Sequence, residues 1–103
     1  MSHHLVQILL PMFDSEGEML PPDLHEQVKV KLTQEFGGVT AYVHAPAEGR
    51  WKQDGREIDD DMAMYEVVTE TLDTEWWAQY RTILMGRFQQ KDILIRALPT
   101  QLL

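Results

Sequence analysis

A turn signal in the middle of the chain constrains the fold more than any other feature. Asp54-Gly55 is typical of two-residue hairpin turns, because both central positions of a type I′ turn need a positive φ. The pairs counted outward from it are Gln53 with Arg56, Lys52 with Glu57, Trp51 with Ile58, and Arg50 with Asp59. Two of these pairs are oppositely charged and one joins an aromatic to a β-branched side chain, which favours pairing across a hairpin. We therefore predict a hairpin arm with this register.

Apolar patterns on either side of the arm predict four longer strands and two helices. The strands are predicted at 5–10, 39–45, 62–69 and 92–98. The first helix is predicted to begin within 21–23 and to end at 36, and the second to begin at 73 or 74 and to end at 91. Pro11 and Pro99 are expected to end the first and last of these strands. Gly37 is expected to cap the first helix in the left-handed conformation, and Lys91 to lie at the end of the second.

Each predicted helix carries an apolar stripe for a core. The stripe of the first helix consists of Leu24, Val28, Leu32 and Phe36, and His25 is expected to point away from it. The stripe of the second consists of Trp77, Tyr80, Leu84 and Phe88, with Trp76 and Ile83 beside it. Since Trp76 and Trp77 are adjacent, we expect one of them at the edge of the helix layer or in an interface.

The order of these elements is β-α-β-β-α-β, which predicts an α+β fold in a single domain spanning residues 1–103. The compact solution is a ferredoxin-like sandwich, with a four-stranded antiparallel sheet, both helices on one face and the long hairpin arm between the second and third strands. The expected order across the sheet is fourth, first, third, second strand.

Such a sheet leaves one face uncovered, and four polar positions are expected to form a row across it. In spatial order the row reads Arg96, Gln7, Glu66, and then His44 or Tyr42. Its predicted neighbours are Leu5, Leu9, Met64, Leu94 and Leu98, and a large exposed apolar surface usually marks an interface or a ligand site. Turning the third strand over would replace Glu66 with Tyr65.

Three interpretations of this row stay open. Arg96 and Glu66 could pair across Gln7 and set the register of a homodimer. The row could bind a small molecule, or Glu66 and His44 could act as an acid–base pair while Arg96 holds an anion. Trp51, near the hairpin tip, packs on its neighbours or contacts a partner. The predicted binding residues are Gln7, Tyr42, His44, Trp51, Glu66 and Arg96.

Composition limits the partners of the 103-residue chain. A net charge of −8 without a basic cluster disfavours nucleic acid. No apolar run reaches the roughly 20 residues of a membrane span, and the first residues do not resemble a secretory signal, so we expect a cytoplasmic protein. The chain has no cysteine, its four histidines form no recognisable ligand set, and the acidic segment 57–61 lacks the glycine of a calcium loop. We predict neither a metal site nor a cofactor.

Four short segments give the chain a resemblance. These are Phe36-Gly37-Gly38-Val39-Thr40-Ala41, Gly49-Arg50-Trp51, Asp54-Gly55 and Tyr65-Glu66-Val67. Over about residues 5–98 the pattern resembles a group of small bacterial proteins of unknown function. The resemblance implies a ferredoxin-like fold and brings no activity with it. Dimeric α+β barrel proteins are similar in fold alone, and a fold does not determine a function.

These observations lead to two functional hypotheses. The first is a small-molecule-binding or protein-interaction module that works through the open sheet face. Its expected partner is a second copy of the chain, in a homodimer. The alternative is a small cofactor-free enzyme of the dimeric α+β barrel type, such as a monooxygenase or isomerase, that uses His44 and Glu66. The sequence does not decide whether the protein is an enzyme.

Overall fold

A computed structural model describes residues 2–43, 51–53, 56–58 and 62–103. At residues 43, 51–53 and 56–58 the description covers the backbone alone. In chain order the elements are β1 (Ser2–Pro11), α1 (Pro22–Phe36), β2 (Thr40–Val43), β3 (Trp51–Gln53), β4 (Arg56–Ile58), β5 (Met62–Thr69), α2 (Thr74–Arg87) and β6 (Leu94–Gln101).

The four longer strands form one antiparallel sheet in the order β2-β5-β1-β6. In chain order β1, β2, β5 and β6 are the first, second, third and fourth long strands. Counted from the β6 edge, their order across the sheet is fourth, first, third, second, as expected. The strands β3 and β4 form a separate two-stranded sheet, in which Trp51 pairs with Ile58 and Gln53 with Arg56. Three of the four predicted hairpin pairs are therefore confirmed, and the fourth, Arg50 with Asp59, lies outside the described residues. An α+β fold with a four-stranded antiparallel sheet and two helices is confirmed as well.

Both prolines were expected to end their strands, and this prediction is confirmed at Pro11 and wrong at Pro99. β1 continues to Pro11, which pairs with Met62 of β5. β6 begins opposite Leu9, so no β6 residue lies beside Pro11. The missing N–H of Pro11 therefore costs no hydrogen bond between β1 and β6. β6 continues through Pro99 to Gln101, because β6 is an edge strand and a proline nitrogen can face its free side.

The core lies between the helices and one face of the sheet. The sheet contributes Val6, Ile8 and Leu10 from β1 and Ala63, Tyr65 and Val67 from β5, all buried. The helices contribute Val28 and Leu32 from α1 and Trp77, Tyr80 and Leu84 from α2. Alternation in a strand sends neighbouring side chains to opposite faces, so Leu5, Gln7 and Leu9 of β1 and Met64, Glu66 and Val68 of β5 face away from the helices. The predicted orientation of the third long strand, with Tyr65 inside and Glu66 outside, is confirmed.

The helix ends follow local chemistry. Gly37 caps α1 at a φ of 83°, and its N–H donates to the Thr33 carbonyl at 2.8 Å, as predicted. Asp73 caps α2 by accepting from the Trp76 N–H at 3.0 Å. The second helix was predicted too long, since it ends at Arg87 and Gln89 takes a positive φ of 53°. Lys91 therefore lies beyond its last turn.

The two adjacent tryptophans divide as expected. Trp77 is buried in the core, while Trp76 is half-buried at the edge of the helix layer. Phe36 joins them, stacking on Trp77 with ring centroids 5.2 Å apart and meeting Trp76 edge-on at the same distance. These ring contacts hold the C-terminal end of α1 against the first turns of α2.

Candidate functional site

The sheet face opposite the helices carries the predicted polar row. Cα pairing places Gln7 of β1 between Glu66 of β5 and Arg96 of β6. Paired residues of an antiparallel sheet project to the same face, so the three side chains are neighbours. Glu66 also pairs with Thr40 of β2, and the row therefore crosses all four strands.

Hydrogen bonds join this row from one charge to the other. The Arg96 Nε–H donates to Gln7 Oε1 at 2.6 Å, and Gln7 Nε2 donates to Glu66 Oε2 at 2.7 Å. The orientation of the Gln7 amide follows from chemistry, because a guanidinium can only donate and a carboxylate can only accept. Gln7 is 9% exposed and forms the buried centre of the row. Arg96 is the positive end of the row and Glu66 the negative end.

The β2 position of the row differs from the expectation. The residue opposite Glu66 is Thr40, whereas Tyr42 lies opposite Met64, two pairs further along the strands. Tyr42 is thus on the open face but outside the row. The sequence could not determine this register, because the chain between β2 and β5 is long enough to allow several alignments. His44 lies outside the described residues, and so does the side chain of Trp51.

Apolar rows flank the polar row on both sides. One consists of Leu98, Leu5 and Val68, and the other of Leu94, Leu9, Met64 and Tyr42. Leu94 is 50% exposed, and Leu98, Val68 and Tyr42 are each at least 40% exposed. An apolar surface of this extent around a hydrogen-bonded polar centre has the layout of a protein interface.

An open cleft borders the row at Glu66. It has a volume of about 500 Å³ and lies where the chain leaves α1 through Gly37 and Gly38 to enter β2 at Thr40. Leu5 and Val68 of the open face also line it. A small ligand there would reach the Glu66 carboxylate, yet the cleft lacks the enclosure that shields reacting groups from water.

A second polar cluster lies buried on the helix side. His25 Nε2 is 3.0 Å from the Pro11 carbonyl oxygen, and Nδ1 is 2.6 Å from the Tyr65 hydroxyl. Since a carbonyl only accepts, Nε2 carries the proton and Nδ1 accepts from Tyr65. The prediction that His25 points away from the core was wrong. His25 lies three residues before Val28, and this i, i+3 spacing to the apolar stripe could have indicated it.

Burial lowers the pKa of His25 and raises the pKa of Tyr65 to about 12, in each case because the charged form would be desolvated. For His25 the bond to Pro11 opposes this effect, and the positive charge of Lys29 adds to it. For Tyr65 the negative charge of Glu26 adds to the shift. Both groups are therefore neutral at neutral pH, and the cluster is a structural contact without a free proton acceptor.

Acid should destabilise the protein through His25. The unfolded chain takes up a proton at this histidine near pH 6.5 while the folded chain resists it. Stability from this group is complete above pH 6.5 and is lost as the pH falls from there toward the lower folded-state pKa. The slope is at most about 1.4 kcal/mol per pH unit for one proton. Urea unfolding between pH 7.5 and 5 measures it.

His25→Gln removes this titrating group and serves as the control. The variant is expected to show a shallower loss of unfolding free energy over the same pH range, whatever its stability at pH 7.5. Equal slopes in the two proteins would mean that His25 is protonated as easily in the folded chain as in the unfolded chain.

Two further classes of site have no support in the part of the chain that the structure describes. Within residues 2–43 and 62–103, no three histidine, aspartate or glutamate side chains are grouped so that they could hold a metal ion. Neither described helix is both long enough and apolar enough to cross a membrane.

Comparison with known proteins gives no relative for this chain. No protein-family model matches it, and a search of the curated proteins finds no match. Function must therefore be inferred from the site itself.

Proposed function

We propose that the protein is a ferredoxin-like interaction module that pairs with a second copy of itself through the open sheet face. The hydrogen-bonded row Arg96–Gln7–Glu66 carries the proposal, because it is complementary to itself. A two-fold axis parallel to β1 and passing over Gln7 exchanges the two ends of the row. Arg96 of each copy then faces the partner subunit's Glu66.

The same charges disfavour the other face-to-face arrangement. An axis parallel to the row would bring Arg96 onto a second arginine and Glu66 onto a second glutamate. Packed sheets lie about 10 Å apart, a distance that an arginine and a glutamate side chain together can span. Arg96 uses Nε for Gln7, so its terminal nitrogens are suited to the partner. Charge pairs of this kind specify register more than they add affinity.

The size of the face supports the same partner. Its eight paired residues along β1 extend about 27 Å, and four strands extend about 19 Å. Two such faces would bury on the order of 1,000 Å² in total, which is near the lower limit for a specific interface. The apolar side chains Leu94, Leu98, Val68 and Tyr42 would supply most of the affinity by leaving water.

Charge reversal tests this arrangement. Wild type is expected to be a dimer by light scattering over a range of concentrations. Glu66→Arg and Arg96→Glu should each raise the dimer Kd by at least about tenfold, since like charges then face each other across the axis. The double variant restores both pairs with the signs exchanged, and the Gln7 amide can turn over to serve either order. We expect it to dimerise again.

Glu18→Arg is the matched control, because it makes the same charge change at an exposed residue of the loop between β1 and α1, outside the four strands that form this face. Thermal unfolding of each variant verifies that it is folded. A monomeric wild type, or a double variant that fails to recover, would refute pairing through this row.

The enzyme hypothesis stays a prediction. It needs His44 beside Glu66, and His44 lies outside the described residues. The bond from Gln7 to Glu66 favours the interaction module, because it commits one carboxylate oxygen to a structural contact. The resemblance to small bacterial proteins of unknown function, and the cytoplasmic location, likewise stay predictions.

A further inference from the structure

The open cleft beside Glu66 combines one carboxylate with apolar walls. Glu66 is the only charged side chain among the described residues that line it. Leu5 and Val68 supply apolar surface, and Gly37 and Gly38 form a wall of backbone alone. A ligand in the cleft would therefore meet both a negative charge and hydrocarbon.

The Glu66 carboxylate is held in place and keeps acceptor capacity. Its Oε2 accepts from Gln7 Nε2 at 2.7 Å, whereas Oε1 accepts from no group in the described part of the chain. A carboxylate offers about four lone-pair sites, so Oε1 can receive a further donor. Because the bond to Gln7 already restricts the side chain, a ligand would lose little free energy in ordering it.

The end of α1 adds negative potential to the same cleft. α1 ends at Phe36, and both this residue and the cap Gly37 line the cleft. The C-terminal end of a helix carries a partial negative charge that favours cations near its last turn. The last turn of α1 has no basic side chain, so the helix does not supply such a cation itself. Glu66 and the helix end are thus two separate reasons for a cation to bind here.

The lining of the cleft suits an organic cation better than a metal ion. Calcium and magnesium require several oxygen ligands, and Glu66 is the one carboxylate among the described lining residues. An ammonium group is a compact charge with several N–H donors, for which one fixed carboxylate oxygen is a sufficient anchor. The volume of about 500 Å³ lies within the range of roughly 300–1,000 Å³ that small-molecule sites have.

We propose that this cleft binds a small primary ammonium compound with an apolar body. The ammonium would donate to Glu66 Oε1 beside the end of α1, and the apolar body would cover Leu5 and Val68. This site does not require a dimer. Its effect on pairing rests on the proposed function, because the ammonium would compete with the partner subunit's Arg96 for the same carboxylate and so raise the dimer Kd.

Benzylamine is a suitable probe, and benzyl alcohol is its uncharged control of nearly the same shape. In ¹H–¹⁵N NMR titrations of the labelled protein at pH 7, benzylamine is expected to shift the amide signals of Gly37, Gly38 and Glu66 in a saturable manner. The signals of Gly17 and Gly86, which do not line the cleft, should not move. Benzyl alcohol should bind at least about tenfold more weakly, because it cannot form the charged hydrogen bond.

Glu66→Gln removes the charge and keeps an amide oxygen that can accept from Gln7. This variant is expected to raise the Kd of benzylamine at least about tenfold and to change that of benzyl alcohol less than twofold. Glu18→Gln makes the same change at an exposed residue that does not line the cleft, and it should alter neither Kd more than twofold.

Gly38→Leu tests the position of the site without touching the carboxylate. A Cβ at Gly38 would meet no described atom within 4 Å, and Gly38 does not have a positive φ, so a leucine can be accommodated and should occupy the cleft. We expect it to raise the Kd of benzylamine at least about tenfold. Gly86→Leu is the matched control, because Gly86 has the same free space and lies in α2, and it should change the Kd less than twofold.

The outcomes separate this proposal from the proposed dimer. No saturable shift with benzylamine, equal binding of benzylamine and benzyl alcohol, or unchanged binding in Glu66→Gln would each overturn the ammonium site. A monomeric wild type that binds benzylamine through Glu66 would support the site and refute pairing through the open face. Light scattering of a dimeric wild type with and without benzylamine tests the competition, which an unchanged dimer Kd would overturn.

Discussion

Replacing Leu84 by alanine is expected to lower the free energy of unfolding by about 3 kcal/mol. The Leu84 side chain is fully buried between α2 and the sheet, in one cluster with Ile8, Leu32 and Phe88. Its removal forfeits the transfer of apolar surface from water and leaves a cavity that the close-packed neighbours cannot fill. Urea unfolding followed by circular dichroism measures the change.

The preceding residue is a matched control. Ile83 is also a large aliphatic residue in α2, but it is 46% exposed. Ile83→Ala should cost less than about 1 kcal/mol, because it leaves no cavity and alanine favours the helix. If Ile83→Ala lowered the free energy of unfolding as much as Leu84→Ala, Ile83 would have to face the core, and the orientation of α2 described above would be wrong.

The second large effect on the free energy of unfolding is expected at the buried tyrosines Tyr65 and Tyr80. Only the Tyr65 hydroxyl has a hydrogen-bond partner among the described residues, so removing each hydroxyl in turn compares a hydrogen-bonded group with an unpaired one. Tyr65→Phe should cost about 1–3 kcal/mol, because it leaves His25 Nδ1 buried without its donor. Tyr80→Phe should be neutral or stabilise the protein by up to about 1 kcal/mol. The Tyr80 hydroxyl is buried and has no hydrogen-bond partner in the part of the chain that the structure describes.

Each change removes one oxygen from a buried aromatic ring, so the difference between the two variants isolates the hydrogen bond. Burial also raises the pKa of Tyr80 to about 12, like that of Tyr65, so neither hydroxyl ionises in a measurement at pH 7.5. Urea unfolding at this pH gives both values. If Tyr80→Phe is as damaging as Tyr65→Phe, the Tyr80 hydroxyl has a partner that stabilises the fold.

Local signals predicted elements better than they predicted contacts. The hairpin register followed from Asp54-Gly55 and the charges beside it, since paired residues there are close in sequence. The same reasoning did not bring His25 into the core, because a polar residue beside an apolar stripe takes its place from the partners that meet it. Pro99 was wrongly taken for a strand end, because the sequence does not show which side of a strand is free.

By itself, the sequence determined the nature and order of the elements, and alternation within the strands predicted Gln7 and Arg96 on one face, with either Glu66 or Tyr65 beside them. The burial of Tyr65 in the core decided for Glu66. Only the tertiary structure decided that these three side chains are bonded and that Thr40, not Tyr42, continues their row. Gln7 is 59 residues from Glu66 and 89 from Arg96. Contacts over such separations depend on the register between strands, which turns, long connections and core packing determine together.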